Sequence, residues 1–203
     1  VQVICPYEPE PHWKTATSLT EHMPVEVKFI ELGPDPQAYW RLLSRMFYAE
    51  VAFINVEHDI EVHEGVYPAF NYCPEPWCTF AYPCSRVTPE LLMAPGRGLP
   101  PQFALKMNPG LDHYVYTALG CCRFREPLLR DCRELVVRLG ERTDGAHVPE
   151  HMVDQARHWK GLDAHMSSAL RQRGYEPHVH GTVLHHHDYP AGCACGDDAC
   201  VAV

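Results

Sequence analysis

No stretch of the chain approaches the ~20 consecutive apolar residues that cross a bilayer, and its first residues lack the basic-then-apolar pattern of a secretion signal. A soluble protein of the cytoplasm is expected. Positive charge is scarce as well. Lys and Arg number 17 against 26 Asp and Glu, and the formal net charge of -9 opposes the phosphate backbone that clustered cations would grip. That balance argues against an undirected hold on nucleic acid. The segment Cys5-Pro6-Tyr7-Glu8-Pro9 contains no glycine, so the glycine-rich phosphate loop of a nucleotidyltransferase is missing after the first apolar run. No internal repeat is present.

What remains is ample for one core: 203 residues, 46% of them hydrophobic. An acidic protein that handles phosphates needs a cation between the two, and 14 histidines with 26 acidic residues offer ligands for one. Of the 10 cysteines, Cys5, Cys73, Cys78, Cys84, Cys121, Cys122 and Cys132 sit among apolar residues and read as small hydrophobes in a core. Cys193, Cys195 and Cys200 lie in a Gly/Ala/Asp tail. One domain over residues 1–187 and a tail over 188–203 are expected.

The periodicity predicts an alternation of strands and helices. Val1 to Cys5 reads as a buried strand, His12 to Met23 as a helix, and Val25 to Leu32 as a second strand. Asp35-Pro36 supplies an N-cap and a first-turn proline for a helix carrying Tyr39, Leu42, Leu43, Met46 and Phe47 to about Glu50. Val51 to Val56 is then the nearly continuous apolar run of a strand covered on both faces. Further on come a short helix from Gly65 to Tyr72, a strand from Trp77 to Tyr82, and little regular pattern from Pro83 to Gly110. A strand from Tyr114 to Leu119, a helix from Pro127 to Leu139 stopped by Gly140, and a last helix from about Asp154 to Arg173 ending at Gly174 complete the reading. The fold class is α/β, a Rossmann-like mixed, mostly parallel sheet flanked by helices.

A buried strand ending in Glu57-His58-Asp59 puts two carboxylates, one residue apart, at the carboxyl edge of such a sheet. Mg²⁺ or Mn²⁺ bridging a nucleoside diphosphate would resolve their mutual repulsion, whereas a solvated acidic turn is the bland alternative. Near the other end, His178, His180, His185, His186 and His187 place five imidazoles within ten residues. Alternation puts His178 and His180 on one face of an extended segment, and a surface metal-scavenging tract is the competing explanation.

The run Val51 to Asp59 resembles the Asp-x-Asp element of the A-type glycosyltransferase fold, particularly its small virus-encoded members. Pro6-Tyr7-Glu8 after the first strand, Leu119-Gly120-Cys121, and Trp159-Lys160-Gly161-Leu162-Asp163 followed by His178-Val179-His180 extend the resemblance over roughly Val1 to His187. The resemblance implies transfer of a sugar from a nucleotide diphosphate sugar, a UDP-sugar first, to an acceptor hydroxyl, assisted by Mn²⁺ or Mg²⁺. Asp59 matches the metal-binding acidic residue, and Glu57 stands where the first Asp contacts ribose or a metal-bound water. A glutamate there departs from the pattern. The resemblance also implies a histidine returning to the same metal after the last helix, with His180 first, His178 second, and His185 to His187 as rivals. Pro6, Tyr7, Glu8, His58 and Arg123 are expected around the donor, with Tyr7 stacking on the base and Arg123 neutralising the diphosphate. For Tyr7 a place as a core-edge aromatic is the alternative, and for Arg123 a place as a surface cation.

If the transfer inverts configuration, Asp163 or Asp112 is the candidate base, each equally suited to capping, pairing or facing solvent. The acceptor is open among a modified nucleic-acid base, a protein and a small molecule. Were the protein viral, the host cytoplasm is its expected place. The competing functions are a sugar nucleotidyltransferase of related fold and a non-catalytic metal-binding module built on the His/Cys-rich C-terminus. The tail cysteines match no regular Cys-x-x-Cys zinc pair.

Overall fold

A computed structural model describes residues 1–8, 10–33, 35, 37–82, 105–107, 114–117, 119–142 and 162–186. The elements, in chain order, are β1 (Gln2–Tyr7), α1 (Trp13–His22), β2 (Val27–Glu31), α2 (Ala38–Tyr48), β3 (Phe53–Val56), β4 (Ile60–Glu61), α3 (Val66–Tyr72), β5 (Trp77–Ala81), β6 (Leu105–Met107), β7 (Tyr114–Thr117), β8 (Cys121–Phe124), α4 (Leu128–Arg142), α5 (Leu162–Gln172), β9 (His178–Thr182) and β10 (Leu184–His185). Among the described residues, no helix is long and apolar enough to cross a membrane.

The central sheet has six strands in the order β2-β1-β3-β8-β5-β9. β1 runs parallel to both β2 and β3, and β5 runs parallel to β9, while β8 is antiparallel to its neighbours β3 and β5. The fold is the expected mixed, mostly parallel α/β sheet flanked by helices. Strand alternation divides its two faces. Val3, Cys5, Ile54, Val56 and Cys121 join Leu19 of α1 and Val66 and Phe70 of α3 in one core, whereas Ile4, Phe53, Cys122 and Phe124 join α2, α4 and α5 through Leu43, Phe47, Leu128, Val136, Met166 and Leu170 in the other. Burial on both faces is why β3 reads as a nearly continuous apolar run, interrupted only by Asn55.

The structure corrects several boundaries. α2 starts at Ala38, with Gln37 rather than Asp35 at its N-cap; the Asp35 carboxylate instead accepts the Gln37 N–H at 2.9 Å. Gly140 does not stop α4, which continues to Arg142 because a helical glycine costs only about 1 kcal/mol. Gly174, by contrast, follows α5 with φ of 84°, where glycine carries no Cβ penalty. The strand expected from Tyr114 to Leu119 is β7, which pairs with β6 in a separate ribbon rather than joining the central sheet. The strand beside β3 is β8, whose Cys-Cys-Arg-Phe sequence carries no strand signature. The part of the last helix expected before Leu162, together with Cys84 and the tail cysteines, lies outside the described residues.

Candidate active site

β1 and β3 are parallel neighbours, with Ile4 opposite Asn55, so Pro6-Tyr7-Glu8 and Glu57-His58-Asp59 leave the sheet at the same carboxyl edge. The chain after β3 turns at once: the Ile60 N–H returns to the Glu57 carbonyl at 3.1 Å, and β4 pairs antiparallel with β10. That short ladder, with His185 opposite Ile60 and Leu184 opposite Glu61, brings the C-terminal histidines to the acidic residues.

Asp59 Oδ2 lies 2.9 Å from His185 Nε2, across 126 positions of sequence, with the two side chains 21% and 9% exposed. Next to it, Glu61 Oε2 lies 2.7 Å from His186 Nε2, and the His186 N–H donates to the Asp59 carbonyl at 2.7 Å. His12, before α1, donates its N–H to the His58 carbonyl at 2.8 Å and stacks on His186 with ring centroids 4.5 Å apart. The edge thus carries two carboxylate–imidazole pairs side by side, Asp59 with His185 and Glu61 with His186.

Glu57 is oriented from below. The Tyr39 hydroxyl donates to its Oε1 at 2.8 Å and accepts from Asn55 Nδ2 at 2.7 Å, and Asn55, fully buried, also donates to the Leu119 carbonyl at 2.8 Å. The Glu57 N–H donates to the Gly120 carbonyl at 2.8 Å, while the Gly120 N–H donates to the Tyr82 hydroxyl at 3.0 Å. Tyr82 in turn meets His185 edge to face at 4.8 Å. The thiol of Cys5 is pushed up to about 12, by burial first and then by the carboxylates of Asp59 and Glu57. It stands as a neutral thiol beside the acidic pair.

The remaining sequence candidates fall in different places. Pro6 is buried, Tyr7 half-buried and Glu8 exposed at the end of β1, the placement of a rim beside the acidic edge. His180 and His178 are on β9, gathered with Cys73 and Cys78 instead of with Asp59; the histidine at Asp59 is His185. The β10–β4 pairing decides this. Arg123 is corrected on both of its expected roles. It is 3% exposed, and its guanidinium donates to the carbonyls of Phe70 at 2.5 Å, of Cys73 at 3.2 Å and of Glu75, so it neither faces a diphosphate nor sits on the surface. Asp163 belongs to α5, with its side chain outside the described residues, and Asp112 lies outside them altogether.

Tyr39, Asn55 and Tyr82 are the site residues that sequence reasoning did not single out, and His185 was among the rival histidines rather than the first choice. Tyr39 and Asn55 carried one signal each: a tyrosine on the apolar stripe of α2, and the one polar residue in the run Val51 to Val56.

No protein-family model matches the chain, and no curated protein matches it. Among solved structures the chain is similar to one described as a glycosyltransferase involved in the glycosylation of the major capsid of PBCV-1, at 13% sequence identity and a TM-score of 0.47, over 89% of this chain and 81% of that chain.

Proposed function

We propose that the protein is a glycosyltransferase that takes a sugar from a nucleotide diphosphate sugar, with the donor lying across the carboxyl ends of β1 and β3. The observation that carries this reading is the meeting of Asp59 with His185 beside Glu57, at the edge of a parallel sheet where α/β proteins bind ligands. The carboxylate of Asp59 suits either Mn²⁺ or Mg²⁺, and the imidazole nitrogen of His185 2.9 Å from it favours Mn²⁺, the less hard of the two. Asp59 and His185 would hold it, with Glu57 reaching the ribose or a metal-bound water. When bound, the ion offsets the charge of the departing diphosphate.

The chain's own residues supply the rest. Tyr39 and Asn55 fix the Glu57 carboxylate, Tyr82 fixes the His185 ring, and the half-buried Tyr7 offers a face on which a uracil base stacks. With Arg123 committed to carbonyls, diphosphate charge falls to the cation rather than to this guanidinium. UDP-sugars are the first donors to test; Asp163 and Asp112 stay the candidate bases for an inverting reaction.

The test is thermal shift with UDP and other nucleoside diphosphates, with and without Mn²⁺, on the wild type and Asp59→Asn. Ligand bound to the native state raises its apparent stability, so UDP is expected to raise Tm only with the cation present. Asp59→Asn keeps shape and loses charge. It should abolish the shift and lower transfer at least about a hundredfold, the equivalent of losing roughly 2.7 kcal/mol of electrostatic stabilisation. Equal nucleotide binding in excess chelator, or full activity of Asp59→Asn, overturns the reading.

A further inference from the structure

A second cluster of ligating side chains shares no residue with the acidic edge. Cys73 ends α3, Cys78 lies in β5, and His178 and His180 lie on β9. β5 and β9 run parallel with Cys78 opposite His178, and alternation returns His180 to the same side as His178. One ligand atom from each of the four lies within 4.8 Å of all the others. Cys73 Sγ is 3.1 Å from His178 Nδ1, and the two imidazole centroids are 4.5 Å apart. A tetrahedral zinc with bonds of about 2.0–2.3 Å holds its ligand atoms about 3.3–3.8 Å apart, so a small inward movement of these side chains closes the shell.

We propose that Cys73, Cys78, His178 and His180 bind one zinc ion in a closed Cys2His2 site that fastens the edge strand β9 to β5 and to the end of α3. Proximity is not the only support. Nε2 of His180 is buried and has no hydrogen-bond partner among the described residues, and a metal bond would satisfy it. Arg123 points the same way. Its guanidinium donates to Cys78 Sγ at 3.1 Å, and its other described partners are the carbonyls of Phe70, Cys73 and Glu75, with no carboxylate among them. A metal-bound thiolate gives this buried cation a negative partner, and the N–H···S bond orients the ligand from outside the coordination shell.

The chemistry balances without a redox step. Two S–H bonds break, two Zn–S bonds form, and two protons leave to solvent, so the two thiolates neutralise the Zn²⁺ charge. Thiolate ligands select zinc over Mn²⁺ and Mg²⁺, and four protein ligands leave no open position for substrate. The zinc is therefore structural, and this inference stands independently of the transferase reading.

Elemental analysis of the full chain, purified under reducing conditions without chelator, should find one zinc per chain. Cobalt exchanged for it should give the intense visible bands of a tetrahedral ion and a near-ultraviolet sulfur-to-cobalt band. His178→Ala, at an exposed position, should weaken metal binding, and His178→Cys should restore it with a stronger sulfur band. Cys73→Ser with Cys78→Ser should lose the zinc, while Cys193→Ser, Cys195→Ser and Cys200→Ser together should keep it. The proposal is overturned by a zinc-free wild type that takes up no cobalt, by a six-coordinate or sulfur-free cobalt spectrum, or by zinc that disappears only with the tail cysteines. Should the double serine variant fail to fold, the His178 pair and the wild-type spectrum still decide.

Discussion

His180 and His185 are five positions apart in sequence, yet they stand in surroundings of opposite chemistry. His185 is 2.9 Å from a carboxylate at the carboxyl edge of the parallel half, where oxygen donors suit a hard, exchangeable cation. His180 packs on Phe70 and Phe80, in ligating range of two buried thiols, where soft donors and a full shell suit a cation that stays. What separates them is Val183, between the ladder of β9 with β5 and the ladder of β10 with β4. A two-residue change of partner strand thus sends neighbouring imidazoles to a candidate catalytic edge and to a candidate structural staple.

Exchanging the effects of the two histidines would break this comparison most decisively. His185→Ala should lower sugar transfer about a hundredfold, on the scale of losing a ligand's share of several kcal/mol, and leave the zinc content at wild type. His180→Ala should do the reverse, with zinc lost, Tm lowered by several degrees, and turnover well below the melting range close to wild type. Turnover, elemental zinc and melting of both proteins are the measurements. If His180→Ala abolishes transfer and excess Mn²⁺ restores it, His180 serves the acidic edge and the division between the two places fails.

The sequence made the first half of the sheet legible because each element there carries one period. The helical stripe from Tyr39 to Phe47 and the apolar run before Glu57 reflect faces that the fold buries, and the alternation in Val25 to Leu32 marks the edge strand β2, whose Val27 is half-buried and whose Phe29 is exposed. The acidic triplet was legible for the same reason, as polar residues directly after a doubly covered strand. β8 was not, since Arg123 in its middle reads as a surface residue until the carbonyls that satisfy it are seen. The histidine at Asp59 was legible only as one of the rivals His185 to His187. Alternation offers His178 and His180 as a pair, but the ladder of Leu184 and His185 on Glu61 and Ile60 is too short to leave a period. Cys73 and Cys78 looked like packing residues, and in burial they are; only the arrival of β9 makes them candidate ligands.

A smaller effect on the acidic edge is expected from Gly120→Ala. A Cβ at Gly120 would stand 2.5 Å from the Tyr82 hydroxyl oxygen and 2.7 Å from its Cζ, closer than carbon atoms pack, so the ring must move. Tyr82 then presses on or leaves His185, and the Gly120 carbonyl that holds the Glu57 N–H shifts with it. Overpacking of this kind costs about 1–3 kcal/mol, and transfer should fall roughly tenfold through misplaced ligands. Zinc content should stay at wild type. Denaturant midpoints with donor KM and kcat check it; wild-type stability and kinetics would mean that the Tyr82 ring holds nothing in place.

Tyr39→Phe should give the smallest effect and the finest separation of the two places. Phenylalanine keeps the ring in its core against Leu43 and Phe47, so packing is preserved while one hydroxyl is removed. That hydroxyl is a relay. It accepts from Asn55 at 2.7 Å and donates to Glu57 at 2.8 Å, so its loss takes a donor from the carboxylate and an acceptor from a fully buried amide. Asn55 keeps the Leu119 carbonyl at 2.8 Å, which limits the cost to about 1–2 kcal/mol. Because Glu57 is oriented by this bond rather than created by it, donor KM should rise several-fold with kcat less affected, whereas zinc content and the cobalt spectrum should not change. Combining the change with Glu57→Gln sharpens the reading, since two members of one hydrogen-bonded unit should be less than additive in KM. Full additivity would show that Tyr39 supports the core alone and that Glu57 meets the donor without it.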